Sequence, residues 1–157
     1  MSDLKIGVVS CSGEDCLGGT ISRLATRKMM DGIRPNETVT ICLPLYIAGG
    51  QEEREFAETY PTITVDGCDK YCAMRATEKY SGKVNEAILV SDFIGKDAAE
   101  AKALSTRYLT EEHMEMVEKL AEEISVKFDK VFNSYKDTKQ NIEEAEAGSC
   151  GCGCGCK

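Results

Sequence analysis

The chain has 157 residues, 42% hydrophobic and 29% charged, with nine cysteines, one histidine, no tryptophan and a formal net charge of −8. That length buries a core without staples, and the negative balance excludes a general nucleic-acid or anionic-membrane binder. No apolar stretch approaches the ~18–20 residues of a membrane span, and MSDLKIGVVS has an early acid and too short an apolar run for a signal peptide, so the expected place is the cytoplasm.

Residues 5–9 open the chain as a short β-branched run that reads as a strand. Residues 17–30 read as a helix with Leu17, Ile21, Leu24 and Met29 on or near one face, stopped by Asp31-Gly32. A second strand is expected at 39–43, a short charged helix at 51–60 and a third strand at 63–65. Residues 69–79 are helix formers that end before Ser81-Gly82, a fourth strand follows at 87–90, and 97–104 reads as helical. Residues 111–136 form a long helix whose stripe runs Met114, Val117, Leu120, Ala121, Ile124, Phe128, Val131, Phe132 and Tyr135. Thr110 is its N-cap, with Glu111 and Glu112 at the positive helix start.

The strands start 24 to 34 residues apart, the length of a strand–helix unit. The fold class is therefore α/β: a small doubly wound parallel sheet of about four strands, order 2-1-3-4, with helices on both faces. The expected organisation is a cysteine-rich α/β domain over 1–110, a packed amphipathic helix over 111–136, and an acidic linker with a Gly/Cys tail over 137–157. Residues 111–147 hold eleven acids and five bases, which reads as a solvated helix face. The tail has no means of burying a core and is expected to be disordered without metal.

In a cytoplasmic chain, clustered cysteines read as metal ligands or redox thiols rather than staples. Cys11, Cys42 and Cys68 fall at or just past the ends of the first three strands, which share one edge in a parallel sheet. With order 2-1-3, Cys11 and Cys68 face each other across the crevice where strand order reverses. Cys68 and Cys72 are four apart at a helix start, on one face, where the helix dipole lowers thiol pKa values. Cys11 and Cys16 complete a four-thiolate set, which suits zinc; an iron–sulfur cluster uses the same ligands. Cys42 also reads as a small buried hydrophobe, His113 as a surface residue, and Asp66 and Asp92 as second partners of the ligands or as turn residues.

The tail cysteines Cys150, Cys152, Cys154 and Cys156 alternate with glycine and can curl around a soft ion. They suggest an arm for metal storage or for transfer to a client protein. The cysteines have no evident catalytic base beside them, so a closed structural or storage site is expected rather than an enzyme.

These motifs resemble the DGC-domain family. Asp66-Gly67-Cys68 with Cys72-Ala73, Cys11-Ser12-Gly13 with Cys16, and Cys42 followed by Ile47-Ala48-Gly49-Gly50 carry the resemblance over residues 5–80. It implies zinc binding through the cysteines and supplies no reaction. Glu14-Asp15 widens the first cysteine pair, and residues 43–46 separate Cys42 from Ile47. Cys42 in place of Cys16, or all five cysteines, stay open as ligand sets.

Two rivals are weaker. A phosphatase-type phosphate loop needs Cys-x5-Arg, but Cys16, Leu17 and Gly18 follow Cys11 and the nearest arginine is Arg23. A thiol–disulfide switch would use Cys11 with Cys16, or Cys68 with Cys72. Gly18-Gly19-Thr20 opens a helix without a nucleotide-binding pattern. Arg23, Arg27, Lys28, Lys70 and Arg75 flank the cysteine loops, as counter-charges or as ordinary surface. The sequence does not set the oligomeric state.

Overall fold

The first apolar run forms β1 (Ile6–Ser10), buried over its first four residues. It pairs in parallel with β2 (Thr38–Val39) on one side and β3 (Thr62–Asp66) on the other. β3 in turn pairs in parallel with β4 (Val84–Leu89), which gives the expected order β2-β1-β3-β4. The structure is a computed structural model that describes residues 4–148, with side chains through residue 142.

Several boundaries differ from the sequence expectation. β2 is two residues long instead of covering 39–43. The chain leaves the sheet before Pro44, which has no N–H for a ladder, and the Leu45 N–H turns back to the Cys42 carbonyl at 2.9 Å. α1 (Leu17–Lys28) runs on through Asp31-Gly32 as a π-helical turn, Met29–Ile33, closed by Arg34 N–H on the Met29 carbonyl at 2.8 Å. An unexpected short helix, α2 (Leu45–Ala48), comes first, and the single helix expected over 51–60 is two short ones, α3 (Gln51–Arg54) and α4 (Phe56–Thr59). α5 is Cys72–Tyr80 and starts three residues late. The helix expected over 97–104 is the shorter α7 (Lys96–Glu100), with residues 101–104 non-helical; an unexpected α6 (Ser91–Ile94) precedes it, parted from it by Gly95 at φ +85°.

The last helix, α8 (Glu111–Gly148), continues past residue 137 rather than dissolving there. Residues 137–147 lack Gly and Pro and are rich in Glu, Lys, Gln and Ala, which propagate a helix once packing has nucleated it. Its start is a reciprocal box: the Thr110 hydroxyl accepts the His113 N–H at 3.4 Å, and His113 Nδ1 accepts the Thr110 N–H at 3.1 Å. The half-buried lone histidine is thus a cap.

One core lies between the sheet, α1 and α8. Val117, Leu120, Ala121, Ile124, Phe128 and Val131 pack with Ile21, Ala25, Ile6, Val8, Ile63 and Ile88. Met114 and Tyr135, at the two ends of the expected stripe, are instead exposed. The other face carries a smaller core of Val9, Tyr46, Phe56 and Ala73. Helices therefore cover both faces, and β3 is buried along its whole length. Arg34 ties α8 to the end of α1, 2.6 Å from Asp129 and over the Phe128 ring. Among the described residues no helix is long and apolar enough to cross a membrane.

Candidate metal centre

Parallel strands place the carboxyl ends of β1 and β3 side by side, and strand order reverses between them. Two loops meet there: residues 11–16 after β1 and residues 67–71 after β3. The Cys11 N–H donates to the Val65 carbonyl at 2.9 Å, and the Gly67 N–H donates to Cys11 Sγ at 3.2 Å. Ser22, on the second turn of α1, brings its Oγ to 3.5 Å from the same sulfur.

Glycine makes the meeting possible. A Cβ at Gly67 would lie 2.4 Å from the Gly19 nitrogen, and one at Gly19 would lie 2.3 Å from the Gly13 carbonyl oxygen. Three backbone segments thus touch without side chains between them. Gly18-Gly19, which opens a helix as expected, spends its freedom on this packing. Two non-glycine residues beside the thiols hold left-handed backbone, Ser12 at φ 47° and Tyr71 at φ 50°. Salt bridges span the loops on the outside, Lys70–Asp15 at 3.2 Å and Lys96–Asp69 at 2.9 Å. The Leu17 N–H bonds to the Ala101 carbonyl at 2.8 Å and closes the site from the α7 side.

Asp66 has a definite task. It is 1% exposed and accepts the Ala73 and Met74 N–H groups at 2.6 and 3.1 Å. It therefore caps α5 and fixes the residue that starts it, Cys72. Burial pushes its carboxyl up, and the two N–H bonds pull it back in part. Asp92, expected at the same crevice, is exposed on α6.

All five cysteines of the described residues are free; Cys11, Cys16 and Cys68 are half-buried, and Cys42 and Cys72 are exposed. Cys68 lies before α5, so it does not share a helix face with Cys72; a turn, Tyr71 N–H to the Cys68 carbonyl at 3.2 Å, joins them. The thiols nevertheless act on one another. Burial pushes Cys16 up, a Gly19 backbone bond opposes it, and Cys68 and Cys11 then add to the rise. Cys72 is pushed up by partial desolvation first, then by Cys11, Asp66 and Cys68. The expected lowering by the helix start is therefore reversed: a first-turn dipole is outweighed by negative neighbours and lost solvent.

Among the described residues no three Cys, His, Asp or Glu side chains stand in a ligating arrangement. Cys11, Cys16, Cys68 and Cys72 are electrostatic neighbours around the β1–β3 crevice. The reading of Cys42 as a buried hydrophobe is corrected, since the chain exits the sheet before it. It lines, with Cys11, a separate cleft of about 580 Å³ between α1 and residues 40–44. Of the flanking bases, Lys70 pairs with Asp15, Arg27 with Asp31 and Lys28 with Glu118. Cys150, Cys152, Cys154 and Cys156 lie outside the described residues.

Sequence reasoning missed the glycine contact, the Ser22 hydroxyl and the Ala101 carbonyl. The double glycine directly after Cys16-Leu17 was the available signal for the first, because two glycines at a helix start are costly unless a close approach needs them. The model of one family, the DGC domain, matches residues 7–124. The match extends beyond the motifs at 5–80 into α8, so the first part of the long helix lies inside it. No curated protein and no solved structure matches the chain.

Proposed function

We propose that this chain, which belongs to the DGC-domain family, binds a soft divalent ion, zinc by default, on the thiolates of Cys11, Cys16, Cys68 and Cys72. The observation that carries the reading is the meeting of two distant cysteine loops at the switch point, with each pair pressing on the other's ionisation. Four thiols are the donor set of a closed tetrahedral site. Burial first, and then the neighbouring thiols, hold Cys16 and Cys72 towards the protonated form, so uptake of an ion by the thiolates would release protons. The five free thiols suit a reducing compartment such as the cytoplasm. The tail cysteines offer a second soft-metal set, and the role proposed for the pair of sites is storage or transfer to a client protein.

The test is metal content and absorption of protein purified without oxygen, for the full chain and for one ending at Ala147. About one zinc per shortened chain, lost in a Cys68→Ser/Cys72→Ser variant, supports the domain site; extra metal on the full chain supports the tail. Iron with sulfide in a brown protein replaces zinc with a cluster. No metal, with cysteines that pair reversibly on oxidation, overturns the reading in favour of a thiol switch.

A further inference from the structure

The cleft beside Cys42 differs in chemistry from the rest of the molecule. The chain carries a net charge of −8, yet Arg23 and Arg27 line this cleft and no carboxylate does. Arg27 shares its guanidinium with Asp31 at 2.7 Å. Arg23 is exposed and, among the described residues, stands in no salt bridge. Met30, Ile41 and Leu43 give the cleft an aliphatic wall. Cys42 is exposed at its edge and Cys11 is half-buried within it.

A free cation, an aliphatic wall and an accessible thiol in one cleft together describe a ligand with carboxylates, a short aliphatic body and sulfur. We propose that the cleft binds a low-molecular-weight thiol bearing carboxylates, met as its disulfide, and that Cys42 exchanges with it. In the step the Cys42 thiolate attacks one sulfur of the ligand disulfide. A Cys42–ligand S–S bond forms, the ligand's own S–S bond breaks, and the second ligand half leaves as a thiolate that takes up the proton released by Cys42. The Cys42 sulfur is oxidised and the departing sulfur is reduced. Arg23 and Arg27 hold the carboxylates, and the aliphatic wall takes the ligand's carbon body. The proposal is independent of any ion at the β1–β3 crevice, because the substitutions that test it leave Cys11, Cys16, Cys68 and Cys72 in place.

The experiment uses the full, reduced chain with two probes, glutathione disulfide and the neutral hydroxyethyl disulfide. Adduct formation is followed by peptide mass mapping at residue 42 and at the tail cysteines, which sit after three glutamates and serve as the internal reference. At Cys42 the rate ratio of the anionic to the neutral probe should exceed the tail's ratio by roughly threefold to tenfold, a local attraction that overrides the repulsive net charge. The excess should vanish in Arg23→Gln/Arg27→Gln and shrink with added salt. Equal ratios at Cys42 and in the tail overturn the proposal. So do an excess that survives both arginine substitutions, or a Cys42 that reacts with neither probe. Zinc content measured on the same variants separates this result from the metal reading.

Discussion

Gly67→Ala tests whether the two cysteine loops are joined by backbone contact. The new Cβ would lie 2.4 Å from the Gly19 nitrogen and 2.5 Å from the Gly18 carbonyl carbon. Both are backbone atoms at the start of α1, so no side chain can swing away. Real Cβ contacts essentially never fall under 3.0 Å, so the segments must part by more than half an ångström. Overpacking costs about 1–3 kcal/mol, and a clash with backbone on both counts belongs at the top of that range, about 3 kcal/mol. With a urea dependence of about 2 kcal/mol per M, the midpoint falls by about 1.5 M. The control is Gly32→Ala, where a Cβ meets nothing within 4 Å; it should be neutral or stabilising by under about 1 kcal/mol. Separation of the loops should also loosen any ion held between them, so Gly67→Ala should surrender zinc to a chelator below the urea concentration that unfolds it. Equal midpoints and equal zinc retention for the two variants would refute the reasoning.

Asp66→Ala strands the N–H groups of Ala73 and Met74, and should cost about 2 kcal/mol in thermal or urea melts. Asp66→Asn keeps one acceptor and should lose about half of that; an Asp66→Ala protein as stable as the parent would remove the cap from the account. Arg34→Ala breaks the bond to Asp129, the 3.3 Å contact with Ser125 Oγ and the stack over Phe128, for about 1 kcal/mol that shrinks with salt. Lysine in its place should recover only part, because it cannot fork between two acceptors; full recovery would contradict the assignment. Tyr46 has a fully buried hydroxyl without a hydrogen-bond partner, although Thr77 lies close, so Tyr46→Phe should be neutral or up to about 1 kcal/mol more stable near pH 8. Desolvation raises the Tyr46 hydroxyl above its ordinary 10.0. Its contribution is therefore complete below about pH 10 and lost as pH climbs through the raised value. Urea midpoints at pH 8 and about pH 11 should fall less for Tyr46→Phe than for the parent, and an equal fall would show that Tyr46 does not titrate with unfolding.

Much of the architecture was legible because the patterns are local. β-branched runs at strand–helix spacing, with right-handed crossovers, lead to order 2-1-3-4, and the helical stripe from Val117 to Val131 marks the core face of α8. Boundaries failed where a local rule lost to context. Asp31-Gly32 did not stop α1, because the π-helical turn closes onto Met29 and Arg34 is then held by α8. Residue 137 did not end α8, because polar and acidic helix formers propagate a helix that packing has already started. Cys42 was read inside a strand because its neighbours are apolar, while Pro44 two residues on was the stronger signal.

The cysteine set itself was determined by the sequence: which thiols follow β1 and β3, and that both loops share the carboxyl edge of a parallel sheet. Only the tertiary structure decided how they meet. Cys68 and Cys72 share a turn instead of a helix face, and their approach to Cys11 and Cys16 depends on Gly67 meeting Gly18 and Gly19, which pack in turn on Gly13, all far from Gly67 in the chain. It also decided that Cys42 lines, with Cys11, a cleft that Cys16, Cys68 and Cys72 do not line. The physical reason is one of range. Hydrophobic period and turn chemistry act over a few residues and can be read along the chain, whereas thiol ionisation, backbone contact and the charge of a cleft depend on which distant atoms come within a few ångströms, and only folding sets that.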